Sequence, residues 1–407
     1  MKKGKNQLIL SKNYLKPDSL KTKFEFMPIS DYPRTLLLAT TSYAGMGPYI
    51  ASIVNSFSPT DDVRFFLVER EDKYFSRNIH SDLRPMCTIV SETTPSKIKT
   101  LYQLTINGNL EYADKIKQVC KADGIEVVHA LTSLPDVDLT SYLASHYNLI
   151  YTIHDLHPHE AKKAFYRKWR QDVLYKRIFK AIERSKYLYT NSLSQLEEQQ
   201  KLYPTHKSFY TPFPSLITEE IAEGTLPVPE LAGIKDYILF FGRIEAYKGL
   251  DTLVRAFNSS QLPASIKLVI AGKGEFVLEK QNENIIFINR YIDDREIAEM
   301  YRNASCVVYP YISATQSGVL SVASFFGTPI IASDLPFFKE VLGADYPYLF
   351  PAGDHQALAE KLKRYYAEKS TDVEQFSRNL YNEKYSLDKL KDNLLNIYSE
   401  VFKHSSK

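Results

Sequence analysis

Cysteine and net charge are both scarce in this chain of 407 residues, and long apolar runs are missing; each shortage excludes a class of protein. The three cysteines, Cys87, Cys120 and Cys306, stand far apart with no close pair. That rules out a disulfide framework and a zinc knuckle and fits a reducing compartment. The formal net charge of +3 is too small to imply nucleic acid as a partner. Nothing in the chain is apolar for long enough to cross a bilayer, and the basic start, Met1 to Lys5, is followed by too few apolar residues to make a signal peptide. The expected location is the cytoplasm, or at most a membrane surface. A metal site is not expected either. His154, His157 and His159 cluster, but no carboxylate or cysteine set completes a coordination sphere, and Asp136 and Asp138 form a pattern too common to count as one.

What is present is a large globular composition, 44% hydrophobic and 24% charged, in a chain too long for one ordinary domain. Short apolar strands alternate with helical patterns, the signature of parallel sheets with crossover helices. Thr35–Ala39 reads as a strand running into a loop that ends in Gly45-Met46-Gly47, with a helix from Tyr49. Further strands are expected at Val63–Val68, Val127–Ala130, Leu149–Ile153 and Tyr187–Thr190. From Tyr203 to Asp236 the chain carries Pro204, Pro212, Pro214, Pro227 and Pro229 and reads as a connection. The alternation then restarts, with strands at Tyr237–Phe241, Lys267–Ala271, Ile285–Ile288, Cys306–Tyr309 and Pro329–Ala332. The expected organisation is an α/β chain of two Rossmann-like, doubly wound parallel-sheet domains facing a central cleft. One spans 1–210 and the other 237–385, joined by 211–236. The stretch 386–402 has apolar residues at helical spacing from Leu387 to Phe402.

The second half carries a recognisable pattern. Tyr237-Ile-Leu-Phe-Phe-Gly242-Arg243-Ile-Glu245-Ala-Tyr-Lys248-Gly249 resembles the donor-binding strand, loop and helix of family-4 glycosyltransferases with the GT-B fold. Leu268-Val-Ile-Ala-Gly272-Lys-Gly274 and the run from Tyr291 through Pro310 to Gly327-Thr-Pro329-Ile-Ile-Ala-Ser-Asp334 resemble it as well. The first half matches more loosely, through its glycine loop and His154-Asp155 at a strand end. The resemblance implies a metal-independent, retaining transfer of a glycosyl group from a nucleotide-sugar, without a further cofactor. The acceptor implied is a saccharide or lipid-linked saccharide, as in bacterial surface polysaccharide assembly. It further implies that the C-terminal helix crosses back onto the first domain, which holds the acceptor.

Residue by residue, the chemistry agrees. A departing nucleoside diphosphate gains charge, and fixed cations and N–H groups aimed at it stabilise the transition state. Arg243 and Lys248 fill that role if they face the cleft; otherwise they are solvated surface charges. Ser317 reads as the cap of a helix running to Phe326, with Gly318 and Val319 opening it. Such a start is either an anion site or an ordinary capped core helix. Gly47 either permits a tight turn or offers its amide to the donor. Its surroundings lack the full dinucleotide fingerprint, which disfavours a dehydrogenase. By resemblance, His154 meets the donor near its sugar–phosphate linkage and Tyr291 lies where the family holds the base.

The chain departs from the family at Ala314 and Val322, where two glutamates usually stand. That keeps open a non-catalytic nucleotide-sugar-binding partner, and more distantly a nucleotide-sugar epimerase. Finally, residues 162–180 hold many lysines and arginines with Phe165, Trp169, Val173 and Ile178 near one face. This is either an ordinary packed helix or one lying on an anionic membrane surface.

Overall fold

The computed structural model describes residues 32–42, 46–92, 112–156, 165–276, 282–314, 316–368 and 371–405, with the backbone alone at 165–171 and 405. Two parallel sheets organise them. The first comprises β1 (Thr35–Ala39), β2 (Val63–Glu69), β3 (Cys87–Ser91), β4 (Val127–Ala130), β5 (Asn148–Thr152), β6 (Tyr187–Thr190) and β7 (Lys207–Tyr210), in the order β3-β2-β1-β4-β5-β6-β7. The second comprises β8 (Tyr237–Phe241), β9 (Leu268–Ala271), β10 (Ile285–Ile288), β11 (Ala304–Tyr309), β12 (Ile330–Ser333) and β13 (Leu349–Phe350), in the order β10-β9-β8-β11-β12-β13. Helices cover both faces, so central strands must be apolar on both sides. In β1, Leu37 enters one core with Phe65 and Ile150, while Leu36 and Leu38 enter another with Phe66 and Val128.

The helix Leu387–Ser405 returns to the first sheet. Leu390, Leu394, Ile397, Tyr398 and Val401 share a core with Tyr49, Ile50 and Val54 of the helix Met46–Asn55. A buried polar tie fixes its register: His129 of β4 bonds the Tyr398 hydroxyl through Nδ1 at 2.9 Å and Thr152 Oγ1 through Nε2 at 3.0 Å. Burial lowers the His129 pKa to about 3, so the ring is neutral, with one nitrogen donating and the other accepting.

Several local expectations need correction. The first helix begins at Met46 and not at Tyr49. The proline-bearing stretch from Tyr203 to Asp236 is not all connection. It contains β7, the edge strand of the first sheet, and a helix Glu219–Glu223 whose cap Thr218 accepts from the Ile221 amide at 3.3 Å. Asp136, half of the Asp136–Asp138 pattern, caps the helix Val137–His146, its Oδ1 accepting from the Leu139 amide at 2.8 Å.

Candidate active site

In an open parallel sheet the crevice lies beyond the carboxyl ends of the strands, where neighbouring connections leave in opposite directions. In the second sheet that point falls between β8 and β11, since β9 flanks β8 on the other side. The loops leaving β8 and β11 are locked together. Gly249 has a left-handed φ of 68°, and a Cβ there would lie 1.9 Å from the Pro310 carbonyl oxygen. The Ile312 amide donates to the Tyr247 carbonyl at 2.8 Å. Behind them Gly272 allows a second close crossing, since its Cβ would sit 1.8 Å from the Gly242 oxygen.

This crossing buries Lys248, which is 8% exposed. Its Nζ stands 3.7 Å from the centroid of the Tyr311 ring and 4.8 Å from that of Tyr247. Burial pushes its pKa down to about 7, the neighbouring Arg243 charge adds to the effect, and Glu245 opposes it. The two ring faces favour the ammonium and so work against burial. Arg243 is different: its side chain is 57% exposed and its Nη1 pairs with Glu245 Oε1 at 3.0 Å. The surface reading of the lysine is therefore wrong, while the arginine stands at the solvent edge of the same loop.

Ser317, Gly318 and Val319 lie in the loop and first turn after β11. The capping residue of the helix Val319–Phe326 is Gly318, not Ser317, and no side chain caps it. The Ser317 hydroxyl instead approaches that of Tyr311 at 3.5 Å. Capping thus falls to no side chain here because Ser317 sits one position early and faces Tyr311. Gly318 is explained by packing: a Cβ would be 2.3 Å from Leu216 Cδ1 in the segment joining the two sheets. Ala314 and Val322, at the positions of the family glutamates, pack against and within the second core.

His154 follows β5. Its Nε2 lies 2.8 Å from the Leu131 carbonyl, which only accepts, so Nε2 carries the proton. Burial lowers its pKa and that hydrogen bond partly raises it, leaving a neutral ring with Nδ1 as an acceptor. The Tyr49 ring meets it edge-on at 5.1 Å. The His154 carbonyl accepts from Gln195 Nε2 at 2.9 Å and from Gln316 Nε2, on the second sheet's loop, at 3.0 Å. Lys248, Tyr311, Ser317, Gln316 and His154 are thereby brought into one constellation.

Gly47 and Tyr291 belong to a neighbouring corner. Gly47 lies beneath Tyr74, where a Cβ would be 2.9 Å from the ring. The Tyr74 hydroxyl donates to Asp294 Oδ2 at 3.2 Å, joining the two halves. Burial pushes Asp294 up to about 6, against the Tyr74 hydrogen bond, with Glu220 and Asp293 raising it further. Tyr291, shortly before Asp294, is 68% exposed. The sequence assigns no role to Tyr74, Asp294, Tyr311 or Gln316. Of these only Asp294 had a local signal, the capping box formed by Asp293 and Glu296 at its helix start. Gly45, His157, His159, Lys162 and Lys163 lie outside the described residues, as do the side chains of Phe165, Arg167, Lys168 and Trp169. No helix among the described residues is long and apolar enough to cross a membrane.

Comparison with known proteins places this geometry. Residues 235–368 match the family "Glycosyl transferases group 1". Phosphatidyl-myo-inositol mannosyltransferase of Mycobacterium leprae is 36% identical over 146 residues, 33% of this chain and 39% of that protein. O-antigen chain mannosyltransferase C of Escherichia coli is 25% identical over 184 residues, 42% of this chain and 48% of that protein. Each match thus spans less than half the length of the curated relative. Among solved structures, sucrose-phosphate synthase of Thermosynechococcus elongatus superposes with a TM-score of 0.66 at 17% identity, covering 91% of this chain and all (100%) of that one. Anabaena HepE with UDP and glucose does so at 0.61 and 14% identity, covering 90% and 100%. The fold is GT-B. Its second sheet lies within the residues that match the group 1 glycosyltransferase family.

Proposed function

We propose that the chain is a glycosyltransferase that moves a glycosyl group from a nucleotide-sugar to a saccharide or lipid-linked saccharide acceptor. The observation that carries the reading is Lys248, a lysine buried among aromatic rings at the strand switch point of the second sheet. A buried amine is costly to keep without an anionic partner, and the bound diphosphate supplies one. Arg243 meets the same diphosphate from the solvent edge, and the amides of Ser317, Gly318 and Val319 complete the cradle. Neutral His154 accepts from a sugar hydroxyl through Nδ1, and Tyr291 lies against the nucleobase beside Gly47 and Tyr74. The half containing 1–210 takes the acceptor and 237–385 the donor. The transfer retains configuration and needs no metal.

Incubation with UDP-, GDP- and ADP-sugars tests this, with and without EDTA. Release of free nucleotide, insensitive to EDTA, is the expected result. Nucleotide-sugar that binds without turnover points instead to a non-catalytic partner of another transferase, the reading that Ala314 and Val322 favour, and a changed sugar points to an epimerase. The anomeric configuration of the product, read by NMR, tests retention. A lipid-linked acceptor requires access to a membrane surface. Lys176, Arg177, Lys180 and Arg184 outnumber Asp138 and Glu183 around a 600 Å³ depression, and Leu174 and Phe179 of the same helix are exposed, which supports contact with an anionic leaflet. Equal sedimentation with neutral and anionic vesicles would remove that attachment.

A further inference from the structure

Gln316 sits in the loop between β11 and the helix Val319–Phe326 and reaches across to the other sheet's side of the molecule. Its Nε2 donates to the His154 carbonyl at 3.0 Å. That partner can only accept, so the amide cannot be flipped without opposing two oxygens, and the direction of Oε1 is settled. Oε1 is buried and has no hydrogen-bond partner among the described residues. Buried side-chain oxygens are nearly always partnered, and one left open beside His154 and Ser317 is an acceptor awaiting a donor. The second amide on the same carbonyl, that of Gln195, is fully used: its Oε1 accepts from the Leu156 amide at 2.9 Å. Of the two glutamines on His154, only Gln316 keeps a vacant oxygen.

We infer that Gln316 is a specificity-determining residue, its Oε1 accepting a hydrogen bond from one hydroxyl of the donor sugar while its Nε2 holds the two halves together through the His154 carbonyl. This rests on the glycosyltransferase reading above and deepens it. It accounts for the loss of an acid at Ala314. A carboxylate accepts from sugar hydroxyls but cannot donate to a carbonyl, whereas an amide does both, so a single side chain ties hydroxyl recognition to domain contact. The chemistry recognised is a sugar O–H next to the diphosphate. A pocket built to pair with a hydroxyl rejects an analogue lacking it more strongly than a merely apolar wall does.

Calorimetric titration of the wild-type chain, Gln316→Ala, Gln316→Met and Gln195→Ala separates this from its alternatives. The probes are UDP, GDP, UDP-glucose, GDP-mannose and the single-position deoxy analogues of the sugar that binds. In the wild type, removal of one particular hydroxyl should weaken binding roughly tenfold, as expected for one hydrogen bond. In Gln316→Ala that same removal should have no effect. Gln195→Ala, which also loses a bond to His154 but leaves Oε1 in place, should discriminate as the wild type does. Gln316→Met keeps the length of the side chain and serves if the alanine variant does not fold. If UDP or GDP binds and every deoxy analogue is weakened equally in wild type and Gln316 variants, the inference is wrong and the wider reading stands. If neither nucleotide binds the wild type, both fall together.

Discussion

The two switch points are built alike and finished differently. In the second sheet, backbone crowding at Gly249 and Gly272 locks the loops after β8 and β9 onto their neighbours, and the locked loops bury a charged side chain, Lys248. In the first sheet, near the matching point between β1 and β4, buried polar groups serve cohesion. His129 ties the C-terminal helix to two strands, and Tyr49 donates to Asn191 at 3.0 Å. One half therefore invests its burial in a site poised for an anion, while the other invests it in its own integrity. Mutations at these two points should divide accordingly, with donor binding lost at Lys248 and stability lost at the His129–Tyr398 tie.

The largest effect expected is on stability. Removing the chain after Ser386 strips Leu390, Leu394, Ile397, Tyr398 and Val401 from the first sheet's core. Each such deletion costs about 2–5 kcal/mol, so together they exceed the stability of a typical domain. Hydrogen exchange should show protection lost from β4 and β5, and loss confined to residues 237–350 would break the comparison. Next comes catalysis: Lys248→Ala should lower turnover by ~100-fold or more while the chain still folds, as circular dichroism would show. Arg243→Ala should cost less, about tenfold, because its exposed charge is screened and already shared with Glu245. Equal, near-normal turnover in both variants would remove the second half's claim to the donor.

A smaller effect sharpens the contrast through pH. Lys248 titrates at about 7 in the folded chain, against 10.5 for an ordinary lysine. A nucleotide-sugar diphosphate needs the charged form, so donor affinity should fall as pH rises above 7, by up to about tenfold per unit, and Lys248→Arg should flatten that fall. The linked stability runs the other way. Between pH 7 and 10.5 the unfolded chain binds more protons than the folded one, so stability rises over that window and Lys248→Met abolishes the rise. His129, pushed down to about 3, stays neutral throughout this range and adds no slope. A donor affinity flat from pH 6 to 9 in the wild type would show that the lysine does not meet the diphosphate.

Most central strands were legible because both of their faces are buried. Thr35–Ala39, Val127–Ala130, Tyr187–Thr190 and Tyr237–Phe241 fall where their apolar runs predict, and so does one edge strand, Ile285–Ile288, whose four residues are all apolar. The strands missed, β3, β7 and β13, are all sheet edges. Lys207-Ser-Phe-Tyr210 is half-exposed and mixed in polarity, and its setting among prolines hid it. At the site, Arg243 and Lys248 were visible as charges after a strand, but which of them is buried depends on how the loop after β11 crosses over, a long-range event. The role of Gln316 could not be read locally, since its significance is a bond to a carbonyl distant in sequence. Ser317 misled because serine before a helix usually caps it, and here Gly318 takes that position.

The central claim, that the loops after β8 and β11 form a prebuilt diphosphate site, is tested most directly by hydrogen exchange of the wild-type chain with and without saturating UDP or GDP. New protection is predicted at the amides of residues 242–249 and 316–320, with β4 to β7 unchanged. Protection appearing only in loops of the first sheet, with 242–249 unaltered at saturation, would contradict it.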